Sequence, residues 1–412
     1  MDLTKEEEQI LEGRHGETPR KLLEISLKVG EVNGAKRMVE IKSVHSGFIA
    51  VYVEGPGSFG TIGIEMLEAL AEAGLKFKVP FSTNLIGMEL CEWKPMGIPE
   101  DFAKTQMRAV RALEQLGAMP GYTCIPYLQE NVPRMGDNIA WVESTNVAIA
   151  NSYFGARSNR EVDMTALAAA ITGRAPEYGY HLKENRYGDV LIKVNAELDD
   201  ADLGALGFYV GKTGVQVPVF DGLGKKLSME QIQRLLAPLS VSGPIALAHI
   251  IGVTPEAPSL EAAFDNKKPK ETLVIGRKEL AEGYDALNTA RGRDVDFVMI
   301  GCPYCTLEKV KKVAQLLEGK KVRDGVTLWV HTSRNIRAMA EREVGIIEKA
   351  GGRVCCDTCT YGTSVKRYYG FKTMATDSAM SAFICQGSPW LGMQTLYGSM
   401  EKCVEAAMTG RW

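Results

Sequence analysis

The pattern of apolar and polar positions changes its period next to residue 302. Residues 298–300 form an apolar run typical of a buried strand, and a helical stripe follows it. The stripe consists of the apolar side chains at positions 307, 310, 313, 314, 316 and 317. Pro303 suits the first turn of this helix, and Thr306 can bond its free N–H groups. The pattern predicts a strand, a tight turn and an amphipathic helix, whose positive end lowers the pKa of Cys302 and favours its thiolate.

Strand and helix periods alternate regularly in the last third of the chain. The expected strands are 272–276, 295–300, 326–331 and 352–356, and the expected helices are 277–288, 307–317 and 335–350. This alternation is typical of a parallel α/β sheet, in which ligands bind beyond the carboxyl ends of the strands. Cys302, Arg334 and Cys359 follow three of those strands, so we expect them to meet at one edge of the sheet.

Shorter strand–loop–helix units fill the rest of the chain, which makes the expected fold class α/β throughout. The segment 266–271 combines charge with proline, a composition that resists a packed core and indicates a linker. We therefore expect three domains, at residues 1–135, 136–268 and 269–412.

The composition excludes several classes of protein. The chain has 412 residues, of which 45% are hydrophobic and 24% charged, enough for two or three globular domains. Its formal net charge of −3 gives no basic surface for nucleic acid. Residues 1–8 are acidic and polar where a signal peptide would be basic and then apolar, and no apolar run is long enough to span a membrane. We expect a cytoplasmic protein that binds neither nucleic acid nor membrane.

Nine cysteines are spread along the chain. They stand at positions 91, 124, 302, 305, 355, 356, 359, 385 and 403. An odd number of cysteines without a secretion signal is a poor disulfide framework, so the thiols are expected to be free, to bind metal or to react.

The residues alone leave three uses of Cys302 open. The first is thiol redox chemistry, because residues 302–305 read Cys-Pro-Tyr-Cys as in a glutaredoxin active site, although the Val-Pro turn of glutaredoxins is missing downstream. The second is structural zinc held by Cys302, Cys305, Cys356 and Cys359, whose two pairs are 50 residues apart. The third is an iron–sulfur cluster held by cysteines from separate loops.

Other polar residues are candidates for chemistry. Arg157 and Arg160 lie in a polar loop before an alanine-rich helix, where they could hold a carboxylate or phosphate or could be ordinary surface residues. His45 lies in a polar loop, where a substrate role and a purely local one are both open. Glu143, next to Ser144, is either an active-site acid or a helix residue whose side chain makes only local hydrogen bonds.

Eight short motifs occur in order along nearly the whole chain. They are residues 123–127, 139–144, 150–152, 155–161, 168–173, 252–258, 301–303 and 357–359. Through these motifs the chain resembles the large, catalytic subunit of aconitase X. The resemblance runs from residues 1–4 to residues 398–401.

The resemblance implies an aconitase-like, multi-domain α/β/α architecture around a central cluster site, without the swivel domain. It implies a hydro-lyase of the aconitase superfamily, whose iron–sulfur cluster exposes one iron to the substrate. By match to the family's motifs, Cys124, Cys302 and Cys359 would hold a [4Fe-4S] cluster or a smaller one. Known members dehydrate cis-3-hydroxy-L-proline or mevalonate 5-phosphate.

The resemblance also suggests which residues surround the cluster. The candidate catalytic residues are His45, Glu143 and Ser144, and the candidates for binding an anionic substrate are Ser158, Asn159, Arg160, Arg334 and Ser378. In the superfamily the base is usually a serine on a mobile swivel domain, for which the chain has no room before Trp412. We therefore expect a separately encoded small subunit that carries this domain, and an isolated chain that is inactive.

Three departures from the family pattern concern the substrate. Tyr304 stands where known members usually have a histidine, and residues 377–380 read Asp-Ser-Ala-Met where the family tends to read Asn-Ser-Gly-Lys. The loop 47–60 looks longer and has lost a family lysine. The cysteines are intact, so the expected function is an iron–sulfur dehydratase of a small hydroxy acid, first mevalonate 5-phosphate and alternatively cis-3-hydroxy-L-proline. A zinc-binding or glutaredoxin-like thiol protein is the alternative of another class.

Overall fold

A computed structural model describes residues 1–47, 61–363, 368–387 and 391–412. Nearly all of the loop 47–60 lies outside these residues. The α-helices of the described residues are α1 (Lys5–Leu11), α2 (Glu17–Val32), α3 (Ile62–Glu72), α4 (Glu100–Leu116), α5 (Ser144–Ser152), α6 (Asp163–Thr172), α7 (Asp200–Gly211), α8 (Met229–Ser242), α9 (Leu260–Ala263), α10 (Arg277–Leu287), α11 (Leu307–Leu317), α12 (Arg334–Met339), α13 (Glu341–Lys349), α14 (Ala379–Gly387) and α15 (Met400–Thr409). The strands are β1 (Met38–Glu40), β2 (Val44–Ser46), β3 (Phe81–Thr83), β4 (Ala140–Trp141), β5 (Arg174–Pro176), β6 (Val190–Val194), β7 (Pro218–Asp221), β8 (His249–Ile250), β9 (Glu271–Ile275), β10 (Phe297–Cys305), β11 (Thr327–Thr332), β12 (Arg353–Cys355), β13 (Thr373–Thr376) and β14 (Gln394–Tyr397).

These strands form four sheets, three of which are parallel. In the order of hydrogen-bonded neighbours, the parallel sheets are β3-β2-β4, β8-β7-β6-β9 and β12-β11-β10-β13-β14, and β1 pairs with β5 in an antiparallel ribbon. Helices separate most consecutive strands, so the expected α/β class is confirmed. Where a helix of 16 residues was expected over 335–350, two shorter ones, α12 and α13, follow each other across Ala340.

Polar side chains cap several helices, and the cap at Thr306 is one that the sequence predicts. Thr4 accepts a hydrogen bond from the Glu7 N–H, and the Glu7 carboxylate accepts one from the Thr4 N–H, which completes a capping box. Thr306 caps α11 by accepting from the Lys309 N–H at 3.2 Å. The expectation for Pro303 is wrong: β10 continues to residue 305, so the proline lies in the strand and not in the first turn of α11.

Strand β10 is buried on both faces, which explains its continuous run of apolar residues. Successive side chains of a strand point to opposite faces, and here Phe297 and Met299 enter one core while Val298 and Ile300 enter another. The first core is shared with the N-terminal sheet, and the second with the middle sheet. The carboxyl end of β10 is therefore held between the other two parts of the molecule.

One strand joins a different sheet from the one expected. β9 pairs in parallel with β6 over its whole length, so it belongs to the middle sheet and not to the C-terminal one. The segment 266–271 is the tight connection that leads into this strand, with Asp265 and Asn266 both at positive φ. The division of the chain into domains at residues 135 and 268 remains a prediction.

In the described part of the chain, no helix combines the length and the apolar character that crossing a membrane requires.

Candidate metal centre

Three cysteines from distant parts of the chain come together at the carboxyl edge of the C-terminal sheet. Cys302 lies in β10, Cys359 in the loop after β12, and Cys124 just before the 3-10 helix Pro126–Leu128. Cys302 is close enough to the other two thiols for their charges to raise its pKa. All nine cysteines are described and free, and these three alone are half-buried, since Cys91 is exposed and the other five are buried. The meeting of Cys302 and Cys359 at one edge follows from the parallel order β12-β11-β10.

Hydrogen-bond donors point at two of the three sulfurs. The Tyr304 N–H donates to Cys124 Sγ at 3.2 Å, and the Gly362 N–H donates to Cys359 Sγ at 3.4 Å. The side chain of Ser378 lies beside Cys302 and acts to lower the pKa of its thiol. Such donors stabilise sulfur that carries negative charge, which is the state of a cysteine bound to metal.

Burial keeps the three thiols protonated when no metal is bound. It raises the pKa of Cys124 and Cys302 well above the ordinary value, and the pKa of Cys359 to about 11. The expectation that the start of α11 lowers the pKa of Cys302 is therefore wrong. The helix begins at Leu307, beyond the reach of its terminal charge.

The bend that carries Cys302 out of the strand ladder depends on Gly301. The pairing of β10 with β11 is regular to Ile300, is interrupted, and resumes at Cys305. Gly301 has φ +104°, and a Cβ atom there would lie 2.4 Å from the carbonyl oxygen of His331. Only glycine fits this position.

The cysteines do not form a site for a single metal ion in the described part of the chain. Among the described residues, no three His, Cys, Asp or Glu side chains converge closely enough to hold one ion. Two thiolates on one zinc lie within about 4.6 Å of each other, because each Zn–S bond is about 2.3 Å. A cluster with several irons takes each thiolate on a different iron and so spans a wider triangle of cysteines. In their chemistry, three half-buried thiols are the kind of donor that an iron–sulfur cluster takes.

The structure does not support the other two uses of Cys302. Cys305 is fully buried in the core around α11, and burial raises its pKa to about 12, so it is a poor partner for a reactive dithiol. Cys356 is also buried, with its pKa raised to about 12. The four cysteines of the zinc alternative do not form an ion site, since all lie in the described residues and no such group converges.

Glu143, Ser144 and Arg160 form a polar group beside the cysteines. Glu143 caps α5 by accepting from the Asn146 N–H at 2.8 Å, and its charge acts on both Cys124 and Cys359. Burial raises the pKa of this carboxyl group. The exposed Arg160 donates to the hydroxyl of Ser144. The structure thus brings together three predicted site residues beside the cysteines.

His45 lies on strand β2 and not in the polar loop that the sequence predicts. Its ring is fully buried, and burial lowers its pKa to about 3, so it is neutral at pH 7. Nε2 accepts from the Asn146 amide at 2.9 Å, which leaves the proton on Nδ1 to be donated to Ser82 Oγ, also at 2.9 Å. The histidine therefore orients the start of α5, next to Glu143.

The side chains of Ser158 and Asn159 are engaged by the protein backbone. Ser158 Oγ accepts from the Trp141 N–H at 3.1 Å, and its hydroxyl donates to the Asn159 carbonyl at 2.7 Å. The Asn159 amide donates to the Tyr178 carbonyl at 3.1 Å. Of this part of the predicted anion-binding set, Arg160 is the member whose charged group stays exposed. Ser158 and Asn159 hold the loop that presents it.

Arg334 reaches the expected edge of the sheet but is paired with two carboxylates. Its guanidinium group contacts Glu89 at 2.8 Å and also Asp357, a residue at φ +62° that precedes Thr358 and Cys359. With two acids on one arginine, this group has no net positive charge to offer an anion. It holds the Cys359 loop in place.

A buried ion group lies behind Cys302. The carboxylate of Asp377 contacts Arg234 at 2.9 Å and Lys309 at 2.7 Å. Burial would raise the pKa of Asp377, but the two cations lower it overall. This group fixes Ser378, whose hydroxyl also accepts from the Ser381 N–H at 3.1 Å at the start of α14. Sequence reasoning noticed Asp377 as a departure but missed its two partners, because they lie on α8 and α11.

Comparison with known proteins gives consistent matches along the chain. Models described as aconitase X first, second and third domain match residues 1–184, 188–285 and 295–409. The phosphomevalonate dehydratase large subunit of Methanosarcina mazei is 37% identical over 413 residues, covering 100% of this chain and 98% of its own length. The cis-3-hydroxy-L-proline dehydratase of Pseudomonas aeruginosa is 33% identical, covering 98% of this chain and 70% of its own. The crystal structure of Thermococcus kodakaraensis aconitase X in its holo-form has a TM-score of 0.88 at 35% identity, with 99% of this chain and 100% of that chain covered.

The raised thiol pKa values predict how the metal-free protein reacts. A thiol whose pKa is about 11 forms more thiolate with each rise in pH up to that value, so alkylation of Cys359 should become about tenfold faster per pH unit between pH 7 and 9. Iodoacetamide labelling followed by peptide mass spectrometry measures this rate, with the exposed Cys91 labelled in the same sample as the reference. A plateau for Cys359 below pH 9 would contradict the prediction.

Proposed function

Because this chain belongs to the aconitase X family, we propose that it is the large subunit of a two-subunit dehydratase that acts on mevalonate 5-phosphate. The chain is a hydro-lyase, as its dehydratase relatives indicate. Large subunits of phosphomevalonate dehydratase match it at 37% identity over 98% and 100% of their lengths. The cis-3-hydroxy-L-proline dehydratase matches at 33% over 70% of its length. The higher identity to the phosphomevalonate dehydratase subunits, and their nearly complete coverage, support the phosphorylated substrate.

The cofactor of this proposal is an iron–sulfur cluster held by Cys124, Cys302 and Cys359. The observation that carries it is the convergence of three half-buried thiols, two of which accept a hydrogen bond from a backbone N–H. With three protein ligands, a four-iron cluster would keep one iron open to substrate, as catalytic metal sites do. When bound, the cluster supplies a Lewis acid that stabilises a departing hydroxide.

The residues around the cysteines suit the binding and protonation of an anionic hydroxy acid. Arg160 and the hydroxyl of Ser144 offer donors to a carboxylate or phosphate. Glu143 keeps its proton more readily than an ordinary glutamate and can donate it to the leaving oxygen. Ser378 lies beside Cys302 and acts to lower the pKa of its thiol, and His45 orients α5 through Asn146.

The remaining catalytic group, the base that removes the C–H proton, is assigned to a small partner subunit. The relatives from Methanosarcina mazei and Methanocaldococcus jannaschii are named large subunits, which implies a smaller one. The hydroxyproline dehydratase has about 30% of its length outside the match to this chain. That extra length supports a partner that is a separate chain in one case and a fused segment in the other.

The cysteine assignment is tested by serine substitutions. After anaerobic reconstitution with iron and sulfide, Cys302→Ser and Cys359→Ser should lose the cluster, because replacing a direct ligand costs more than the ten- to hundredfold loss of affinity seen for outer-shell residues. Iron and sulfide content and visible absorption measure the loss. Cys305→Ser and Cys356→Ser are the matched controls and should keep the cluster. Loss in the controls with retention in the first pair would refute the assignment.

The role of Glu143 is tested by Glu143→Gln in the assembled enzyme. Glutamine keeps an oxygen that can cap α5 but has no acidic proton, so kcat should fall by about 10² to 10⁴ while iron content stays unchanged. Glu161→Gln is the control, since Glu161 is also a buried carboxyl with a raised pKa but is bonded to Thr165. Equal activity in the two variants would remove Glu143 from the mechanism.

The partner is tested by assaying the purified chain with and without a co-expressed small subunit. The chain alone, with its cluster loaded, should not dehydrate mevalonate 5-phosphate, and addition of the small subunit should restore turnover. Size-exclusion chromatography would show whether the two associate. Turnover by the chain alone would disprove the need for a partner.

A further inference from the structure

Tyr304 contacts all three segments that carry the half-buried cysteines. It is fully buried and lies two residues after Cys302 in β10. Its backbone N–H donates to Cys124 Sγ at 3.2 Å. Its phenol donates to the carbonyl oxygen of Thr358, the residue before Cys359, at 2.7 Å. We propose that Tyr304 is a positioning residue that sets the spacing of the three cysteines, an inference that rests on the cluster assignment above.

The phenol of Tyr304 positions neighbouring segments of the chain and does not transfer a proton. Its proton is donated to a main-chain carbonyl, which cannot give one back. The hydroxyl therefore ties β10 to the Cys359 loop, and the backbone N–H ties it to Cys124.

His331 supports the same carbonyl from the neighbouring strand β11. Its ring lies parallel to that of Tyr304, with 6.3 Å between centroids and 5° between planes. Burial lowers its pKa to about 4, so the ring is neutral. Since a carbonyl only accepts, Nδ1 must carry the proton that is donated to Thr358 O at 3.1 Å, and Nε2 accepts from Thr360 at 3.4 Å. The Thr358 carbonyl thus receives two donors.

A tyrosine that merely fills the core would behave differently from this one. Phenylalanine has the same ring and loses only the hydroxyl, so a packing role predicts little change in Tyr304→Phe. A positioning role predicts a looser Cys359 loop, because the Thr358 carbonyl loses one of its two donors. Hydrogen bonds and solvent access at the sulfurs also set the potential of a cluster.

The experiment compares Tyr304→Phe with Tyr397→Phe. Tyr397 is a matched control, because it is also buried and donates its phenol to a main-chain carbonyl, that of Ala201, at 2.6 Å. In the metal-free protein, alkylation of Cys359 should be about fivefold faster in Tyr304→Phe than in Tyr397→Phe, which is the factor for one lost hydrogen bond. Labelling of Cys91 should be equal in both.

In the reconstituted protein, Tyr304→Phe should release iron to a chelator about fivefold faster than the control and should show a shifted reduction potential. His331→Leu, which removes the second donor to the Thr358 carbonyl, should also speed iron release and Cys359 alkylation. It replaces Tyr304→Phe in the experiment if that variant does not fold. Identical alkylation and iron release in Tyr304→Phe and Tyr397→Phe would overturn the inference. A wild-type chain that takes up no cluster would instead overturn the proposed cofactor, while the alkylation comparison would still decide the role of Tyr304.

Discussion

The pairing of β10 between β11 and β13 is the constraint on which the rest of the structure depends. A strand in the middle of a parallel sheet has both edges hydrogen-bonded and both faces covered, so it has little freedom to move. Here the two faces enter different cores, one shared with the N-terminal part and one with the middle part. The regular ladder stops at Ile300, and Gly301 turns the chain under the His331 carbonyl. Cys302 consequently lies just beyond the point where the regular ladder ends.

The charged side chains around the cysteines form two groups, in each of which opposite charges contact one another. Asp377 with its two cations lies on one side, and Arg334 with its two carboxylates lies on another. Each group neutralises most of its own charge, so the cysteines face few free charges and remain thiols. Metal binding then has to displace protons, which makes cofactor uptake easier as pH rises. Glu143 is different, because its carboxyl group acts on two of the cysteines and burial raises its pKa.

The sequence correctly predicted those features that depend on the local apolar pattern and on the order of the strands. The amphipathic stripe predicted α11 at its observed bounds, and strand alternation predicted that Cys302 and Cys359 share an edge. It failed where long-range packing decides. Pro303 lies in β10, in the stretch where the pairing with β11 is interrupted, and β9 joins the middle sheet because it pairs with β6. The partners of Arg334, Asp377 and Tyr304 are far away in sequence, so no local signal could reveal them. The roles predicted for the cysteines and for the substrate-binding residues rested on the family resemblance more than on the spacing of residues along the chain.

The hydrogen bond between Tyr304 and Cys124 joins residues 180 positions apart in the chain. The third cysteine, Cys359, lies further on in the chain. A growing chain on the ribosome therefore contains Cys124 long before Cys302 and Cys359 are added. It cannot form the three-cysteine site until residue 359 has been synthesised, so the site is assembled after translation of its earliest cysteine by a delay of more than 230 residues, about the number that separates positions 124 and 359.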